Sequence, residues 1–329
     1  FWRKLPAKGR IGIFFGNWYS QMLQARVDGR ISNARLDQAI HNTERFERML
    51  CDEGTLIFKF WFHLSKQQLK ARLQSLEQDP QRSWQISQLD WKQNRVYDKF
   101  VKFGERVLRR TSRDYAPWYV IEGADVNYRS LSVGRIVLEG LQAALHHQER
   151  RQRNPHSAPL VHSLDNRSLI DSLDLRLQLS KEEYRQQLAS EQARLALLMR
   201  DKRMRKHALM AVFEGNDAAG KGGAIRRVAE ALDPRQYRIV PIAAPTEEER
   251  AQPYLWRFWR HVPARRQFTI FDRSWYGRVL VERVEGFCAQ ADWLRAYGEI
   301  NEFEEELHDA GIVLVKFWLA IDQDTQLKR

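Results

Sequence analysis

A chain that repeats its own sequence at one fixed offset must build one fold twice, and this constrains the present sequence more than any other feature. FWRKLPAKGRIGIFFGNWYSQMLQARVDG (1–29) aligns with FWRHVPARRQFTIFDRSWYGRVLVERVEG (258–286), with 13 of 29 positions identical, among them Phe1/Phe258, Pro6/Pro263, Trp18/Trp275 and Tyr19/Tyr276. The offset of 257 persists without a gap to FERMLCDEGTLIFKFWFHL (46–64) against FEEELHDAGIVLVKFWLAI (303–321), where KFW recurs at 59–61 and 316–318. The copies are cut at different places. The first begins where the second is already advanced, and the second stops where the first runs on through VYDKFVKFGERVLRRTSRDYAPWYVIEGAD (96–125). By that arithmetic we expect a natural protein of about 490 residues, with both outer ends outside this chain.

The expected division is a first copy over 1–145, a linker over 146–170 and a second copy over 171–329. The linker HHQERRQRNPHSAPLVHSLDNRS (146–168) is polar and aperiodic. Its His146, His147, His156 and His162 lack a spaced ligand pattern, so a solvated connector is expected rather than a metal site. In the second copy, Ser180 and Glu183 form a capping box for a helix over 180–202. Strands are expected at 208–215, 237–242, 268–272 and 311–321, and helices at 220–232, 275–284 and 290–309. Strands alternating with helices predict an α/β fold with a parallel sheet. The first copy is expected to keep the apolar strand that ends at Phe15.

Composition narrows the partners. Of 329 residues, 43% are hydrophobic, enough for packed cores and incompatible with a chain disordered throughout. Lys plus Arg outnumber Asp plus Glu by 54 to 42, a net charge of +12 that favours a polyanionic partner. Cys51 and Cys288 are the two cysteines, which make no disulfide framework and suit a reducing compartment. No apolar run approaches the roughly 20 residues of a membrane helix and no leader is visible, so a cytoplasmic location without membrane contact is expected.

The sharpest chemical signal is GNDAAGKG, Gly215 to Gly222, between an apolar strand and a helix. Glycines let backbone amides turn inward, the helix N-terminus adds positive potential, and Lys221 brings an ammonium to a transferred phosphoryl group. Gly222 stands where Ser or Thr would ordinarily hold Mg2+, which points to Asp217 as a metal carboxylate. In FTIFDRS (268–274), Asp272 ends a buried strand, where an acidic residue organises Mg2+, and Arg273 can stabilise charge on a phosphoryl group in flight. In YLWRFWRHVPARR (254–266), Arg257, Arg260, Arg265 and Arg266 lie among aromatics. They can bind nucleic acid, line a channel for another phosphate chain, or sit on a packed helix. The first copy loses the charges: Asp272 is matched by Phe15, Arg273 by Gly16 and Arg278 by Gln21. It is expected to fold but not to catalyse.

With EGNDAAGKGGAIRR (214–227), YLWRFWRHVPAR (254–265), FDRSWYGRVLVERVEGF (271–287) and KFWLAI (316–321), the chain resembles the polyphosphate kinase type 2 family, and within it the two-domain polyphosphate:AMP phosphotransferases. The resemblance covers nearly the whole chain and implies a P-loop kinase-like fold related to thymidylate kinase, a parallel sheet flanked by helices with a closing lid. It implies transfer of the terminal phosphate of inorganic polyphosphate to AMP, giving ADP, with Mg2+ (Mn2+ as the alternative ion) held by Asp217 and Asp272. Asp217, Lys221, Asp272 and Arg273 are then the catalytic set. Gly215, Asn216, Ala218, Ala219, Gly220 and Gly222, with Arg257 and Arg260, are the phosphate-chain contacts, and Arg278 and Glu282 face the acceptor. Polyphosphate and a nucleotide are the expected partners, nucleic acid is not, and a homo-oligomer is compatible with this reading. Alternatives are a polyphosphate-dependent kinase of nucleoside diphosphates, an ATP-dependent nucleotide kinase, and a basic nucleic-acid-binding protein.

Overall fold

The computed structural model describes residues 1–147, 173–175 and 177–328. They form two compact units, the first running from the N-terminal residues through the helix that ends at His147 and the second from the helix that begins at Lys181 onward. Most of the expected linker lies outside the described residues, His156 and His162 included; its first two positions, His146 and His147, are the last two of that first helix.

The second unit is a four-stranded, all-parallel sheet: β3 (Ala208–Gly215), β4 (Tyr237–Pro241), β5 (Phe268–Asp272) and β6 (Ile312–Leu319), in the order β4-β5-β3-β6. Most residues of β3 and β5 are buried, as expected for strands covered on both faces, which is why both read as near-continuous apolar runs. One core joins Met199, Met204, Phe213, Ile225, Leu232 and Ile270. Its helices are α7 (Lys181–Arg200), where Ser180 accepts from the Glu183 amide as expected, and α8 (Lys221–Glu230). Another cluster is aromatic: Phe258, Phe271, Trp275 and Phe303 are all fully buried, with Trp275 edge-on to the other three. It brings in the short helix α10 (Trp256–Trp259) and the long α11 (Gln290–Asp309); α9 (Glu247–Arg250) precedes α10, and α12 (Gln323–Lys328) follows β6. Residues 275–284, expected as one helix, instead hold a π-helical turn over Arg278–Glu282.

In the first unit β1 (Lys59–His63) pairs in parallel with β2 (Trp118–Glu122). Around this pair lie α1 (Trp18–Val27), α2 (Asn33–Asp52), α3 (Lys66–Gln78), α4 (Gln88–Arg95), α5 (Tyr97–Thr111) and α6 (Val126–His147). Tyr19, Leu23, Leu36, Ile40 and Val107 form its core, with Trp61 and Trp118 packed against it. The strand expected before Phe15 is absent. A β-strand is held by its ladder; β5 lies between β3 and β4, whereas residues 11–15 have no strand beside them among the described residues. Phe15 is consequently 98% exposed.

Two features recur at the 257-residue offset. In the first unit the Glu47 carboxylate accepts from Trp18 Nε1 (3.0 Å), Tyr19 OH (2.7 Å) and Lys59 Nζ (2.6 Å). In the second the Glu304 carboxylate accepts from Trp275 Nε1 (3.0 Å), Tyr276 OH (2.7 Å) and Lys316 Nζ (2.6 Å). The left-handed backbone positions also match: Gly9 (φ +76°) with Arg266 (+68°), Gly16 (+79°) with Arg273 (+64°), Gly29 (+74°) with Gly286 (+71°), and Gly54 (+94°) with Gly311 (+82°). Among the described residues no helix is long and apolar enough to cross a membrane.

Candidate functional site

Open parallel sheets place ligands at the carboxyl ends of their strands, and the sequence-predicted residues converge there. Gly215 ends β3 at φ +132°, and a Cβ on it would lie 2.0 Å from the Leu319 carbonyl oxygen. Only glycine lets β3 pair with β6 to its last residue and then turn away. The loop enters α8 through Gly220, whose left-handed conformation (φ +92°) forms the helix N-cap without a side-chain partner. The first amides of a ten-residue helix therefore head the loop, with the positive end of the helix dipole behind them. Lys221 lies back across the loop, its ammonium donating to the carbonyls of Gly215 (2.8 Å) and Asn216 (2.9 Å).

Asp272 ends β5 in register with Phe213 of β3, and its carbonyl accepts from the Ile242 amide at 2.9 Å. Arg273 then turns left-handed, an uncommon conformation for a residue with a Cβ. Its amide donates to the Phe213 carbonyl (3.0 Å) and its guanidinium to Asp217 Oδ1 (2.8 Å). Both members of this pair are well exposed, so water screens it and it adds little stability. What it does is hold a cation against the phosphate loop. Asp217, Lys221, Asp272 and Arg273 are thus brought to one end of the sheet.

The other predicted residues are engaged differently. Arg257 is buried; its guanidinium bonds the Ala243 carbonyl (2.8 Å) and pairs with Glu249 (3.2 Å). This is the packed alternative left open by the sequence, and the aromatic core around Phe258 explains it. Arg260 lies over the Trp256 ring and pairs with Glu248. Arg278 and Glu282 pair with each other at 2.9 Å, with Arg278 stacked 3.9 Å over Tyr254.

Sequence reasoning passed over Glu214 and Ser274. Glu214 is the last side chain of β3 before the loop; Ser274 follows Arg273 and is buried, and its hydroxyl donates to Glu214 Oε1 at 2.6 Å. The contact ties the end of β3 to the turn that follows β5. Burial pushes the Glu214 carboxyl above its ordinary range, opposed by the Ser274 hydrogen bonds and by the charges of Lys221 and Arg273. A carboxylate closing an otherwise apolar strand directly before a phosphate loop was the available signal.

As to a cation, Asp217 and Asp272 supply the hard carboxylate oxygens that Mg2+ takes, and Mg2+ is ordinarily bound by one or two carboxylates plus water and substrate phosphates. The donor set fits it. A groove of about 500 Å³ opens from Gly222 and Asp272 along α8 and β4, walled by Ile225, Ala229, Tyr237 and Ile239.

The family profile described as Polyphosphate kinase 2 (PPK2) matches residues 1–149 and 178–329. The chain belongs to that family. It is 77% identical over 329 residues to a polyphosphate:AMP phosphotransferase of Pseudomonas aeruginosa, covering 100% of this chain and 66% of that protein. It is 36% identical over 335 residues to a protein of the same name from Acinetobacter johnsonii, covering 100% and 67%. Among solved structures, a polyphosphate kinase 2 from Pseudomonas aeruginosa superposes with a TM-score of 0.84 at 70% identity, over 100% of this chain and 63% of that one. The chain thus spans about two thirds of the length of these polyphosphate:AMP phosphotransferases. The α/β fold with parallel sheets flanked by helices is the one expected, in a family of the kind its motifs resemble.

Proposed function

We propose that this protein moves the terminal phosphate of inorganic polyphosphate to AMP, giving ADP. The observation that carries the reading is the Arg273–Asp217 contact, which sets a second cation against a lysine-bearing phosphate loop at the strand ends. A site for phosphoryl transfer needs alignment and neutralised charge more than covalent chemistry. The loop amides at the start of α8 and the Lys221 ammonium receive the donor's terminal phosphate, exchanging carbonyl partners for phosphate oxygens. Arg273 stabilises the charge that spreads over the transferred group. The acceptor oxygen belongs to a phosphate that is largely ionised near neutral pH, so no strong general base is required. Asp217 and Asp272 would hold Mg2+, which when bound neutralises and aligns phosphate oxygens. The groove beside Asp272 offers the acceptor nucleoside an apolar wall.

The corresponding fold is a P-loop kinase-like domain in two tandem copies, of which the second is catalytic. The recurring Trp–Tyr–Glu–Lys network and the paired left-handed positions support the duplication. The relatives' shared name supports AMP as acceptor. The test is ADP formation from AMP with polyphosphate and Mg2+, set beside AMP with ATP. Product with polyphosphate and little with ATP upholds the reading. The reverse identifies an ATP-dependent kinase, and no product with either leaves only a binding function.

A further inference from the structure

Arg265 and Arg266, singled out in the sequence but unused by the site above, lie at the other end of the sheet. The turn Ala264–Gln267, closed by Gln267 N to Ala264 O at 2.9 Å, leads into the N-terminal end of β5. The Arg266 amide donates to the His207 carbonyl at 2.8 Å, which seats this turn against the segment Lys202–His207 that leads into β3. These two adjoining segments carry five cations: Lys202, Arg205, Lys206, Arg265 and Arg266, all exposed. Among the described residues none of the five makes an ion pair. The nearby Asp201 carboxylate is taken by Arg203 at 2.7 Å. The eight residues of β3, at about 3.3 Å each, put this cluster roughly 23 Å from the phosphate loop.

Arg266 occupies a conformation its side chain disfavours. At φ +68° it fills the turn position that glycine ordinarily takes. The first unit shows the same turn with glycine in place: Arg10 N bonds Ala7 O at 3.0 Å, and Gly9 has φ +76°. Left-handed backbone at a residue with a Cβ costs stability and concentrates at working sites. Arg273 is the parallel case, an arginine at φ +64° where the first unit has Gly16, and it stands in the candidate catalytic site. In both places the second unit puts a guanidinium where the first has glycine.

We propose that Lys202, Arg205, Lys206, Arg265 and Arg266 form a second phosphate-chain site, which holds the distal part of a long inorganic polyphosphate whose end lies at Lys221. The inference rests on polyphosphate being the donor. Short chains reach only the loop, and long chains engage both ends of the sheet. A surface with fewer cations releases fewer counterions on binding, and each cation removed from a phosphate lowers the slope of log affinity against log salt by about 0.7.

The test measures binding of long-chain and short-chain polyphosphate by the 329-residue chain across a salt series, in the wild type, Arg265→Ala/Arg266→Gly and Lys221→Ala. For the double variant we expect roughly tenfold weaker binding of long chains and a slope lower by about 1.4. Short-chain binding should be unchanged and the melting temperature equal or higher, since glycine suits the turn. Long-chain binding as in the wild type would overturn the second site. So would an RNA oligonucleotide held at the patch that polyphosphate does not displace. Loss of short-chain binding in Lys221→Ala is expected on the donor reading. Its persistence there overturns that reading instead, and the long-chain comparison still decides the patch.

Discussion

At the residue scale, Lys221 and Asp272 are asked to do chemistry and not to hold the fold. Lys221 bonds only loop carbonyls and Asp272 is a strand terminus, so Lys221→Ala and Asp272→Ala should fold normally. Each should lower the rate of ADP formation at least about 100-fold, the usual cost of one preorganised charge contact to a transition state. Near-wild-type turnover in either would remove that residue from the site. Glu214 makes a separate, pH-dependent prediction. Its carboxyl titrates above the ordinary 4.5 because it is buried. Between that value and its folded value the folded state binds more protons than the unfolded one, so this group lowers stability as pH rises through the window. Glu214→Gln keeps an oxygen for the Ser274 hydroxyl and removes the ionisation. Its melting temperature should match the wild type in acid and exceed it at neutral pH. A variant less stable than the wild type at neutral pH would show that the charge itself is needed, for Lys221 and Arg273.

At the element scale, Gly215 is where β3 becomes the phosphate loop, and its missing side chain decides whether β3 and β6 close together. In Gly215→Ala the new Cβ would meet the Leu319 carbonyl, a backbone atom that cannot swing aside. The substitution should destabilise the chain by about 3 kcal/mol or more, read from chemical denaturation. A loss under about 1 kcal/mol would mean that the strand end yields. The elements themselves were largely legible. β3, β5, α8 and α11 follow from apolar runs bounded by glycine, proline and caps, because strands covered on both faces carry their pattern in the sequence. Residues 11–15 carry the same apolar pattern and form no strand, since a ladder needs neighbours that local sequence does not contain. The π-helical turn at Arg278–Glu282 was not legible either: it begins at Arg278, whose amide donates to the hydroxyl of Tyr254, over twenty residues away in sequence, at 3.0 Å. The site was legible wherever chemistry is written in spacing, as at Lys221 and Asp272. It was illegible where it depends on packing, as with Arg257 drawn into the interior and Glu214 held by Ser274.

At the scale of the whole molecule, the two units share features at the 257-residue offset, and the proposed reading divides the work between them. Each has a Trp–Tyr–Glu–Lys network at the same offset, and that network serves the fold. In the first unit it is deeply buried. Lys59 and Glu47 are 4% and 1% exposed, the Thr111 carbonyl also accepts from the Lys59 ammonium, and burial pushes the lysine pKa down against the pull of Glu47. A charge so enclosed is tolerable only while its partners remain, so such a pair fixes geometry more than it adds stability. At the positions that match Asp272 and Arg273 the first unit has Phe15, which stands exposed, and Gly16. On the proposed reading it lacks, at those positions, a carboxylate for a metal ion and a guanidinium for the transferred group. With Asp272→Ala in the second unit and the first unit intact, ADP formation from AMP and polyphosphate should fall to the level of the Lys221→Ala protein, and combining the two should lower it little further, because both act in one site. Glu47→Ala should act differently, leaving a buried ammonium without its carboxylate and lowering stability by about 3–5 kcal/mol while the second unit's loops stay complete. Substantial ADP formation in Asp272→Ala, abolished only when the first unit is also disrupted, would show that the first unit catalyses and that the loss of Asp272 and Arg273 from it is no loss of function.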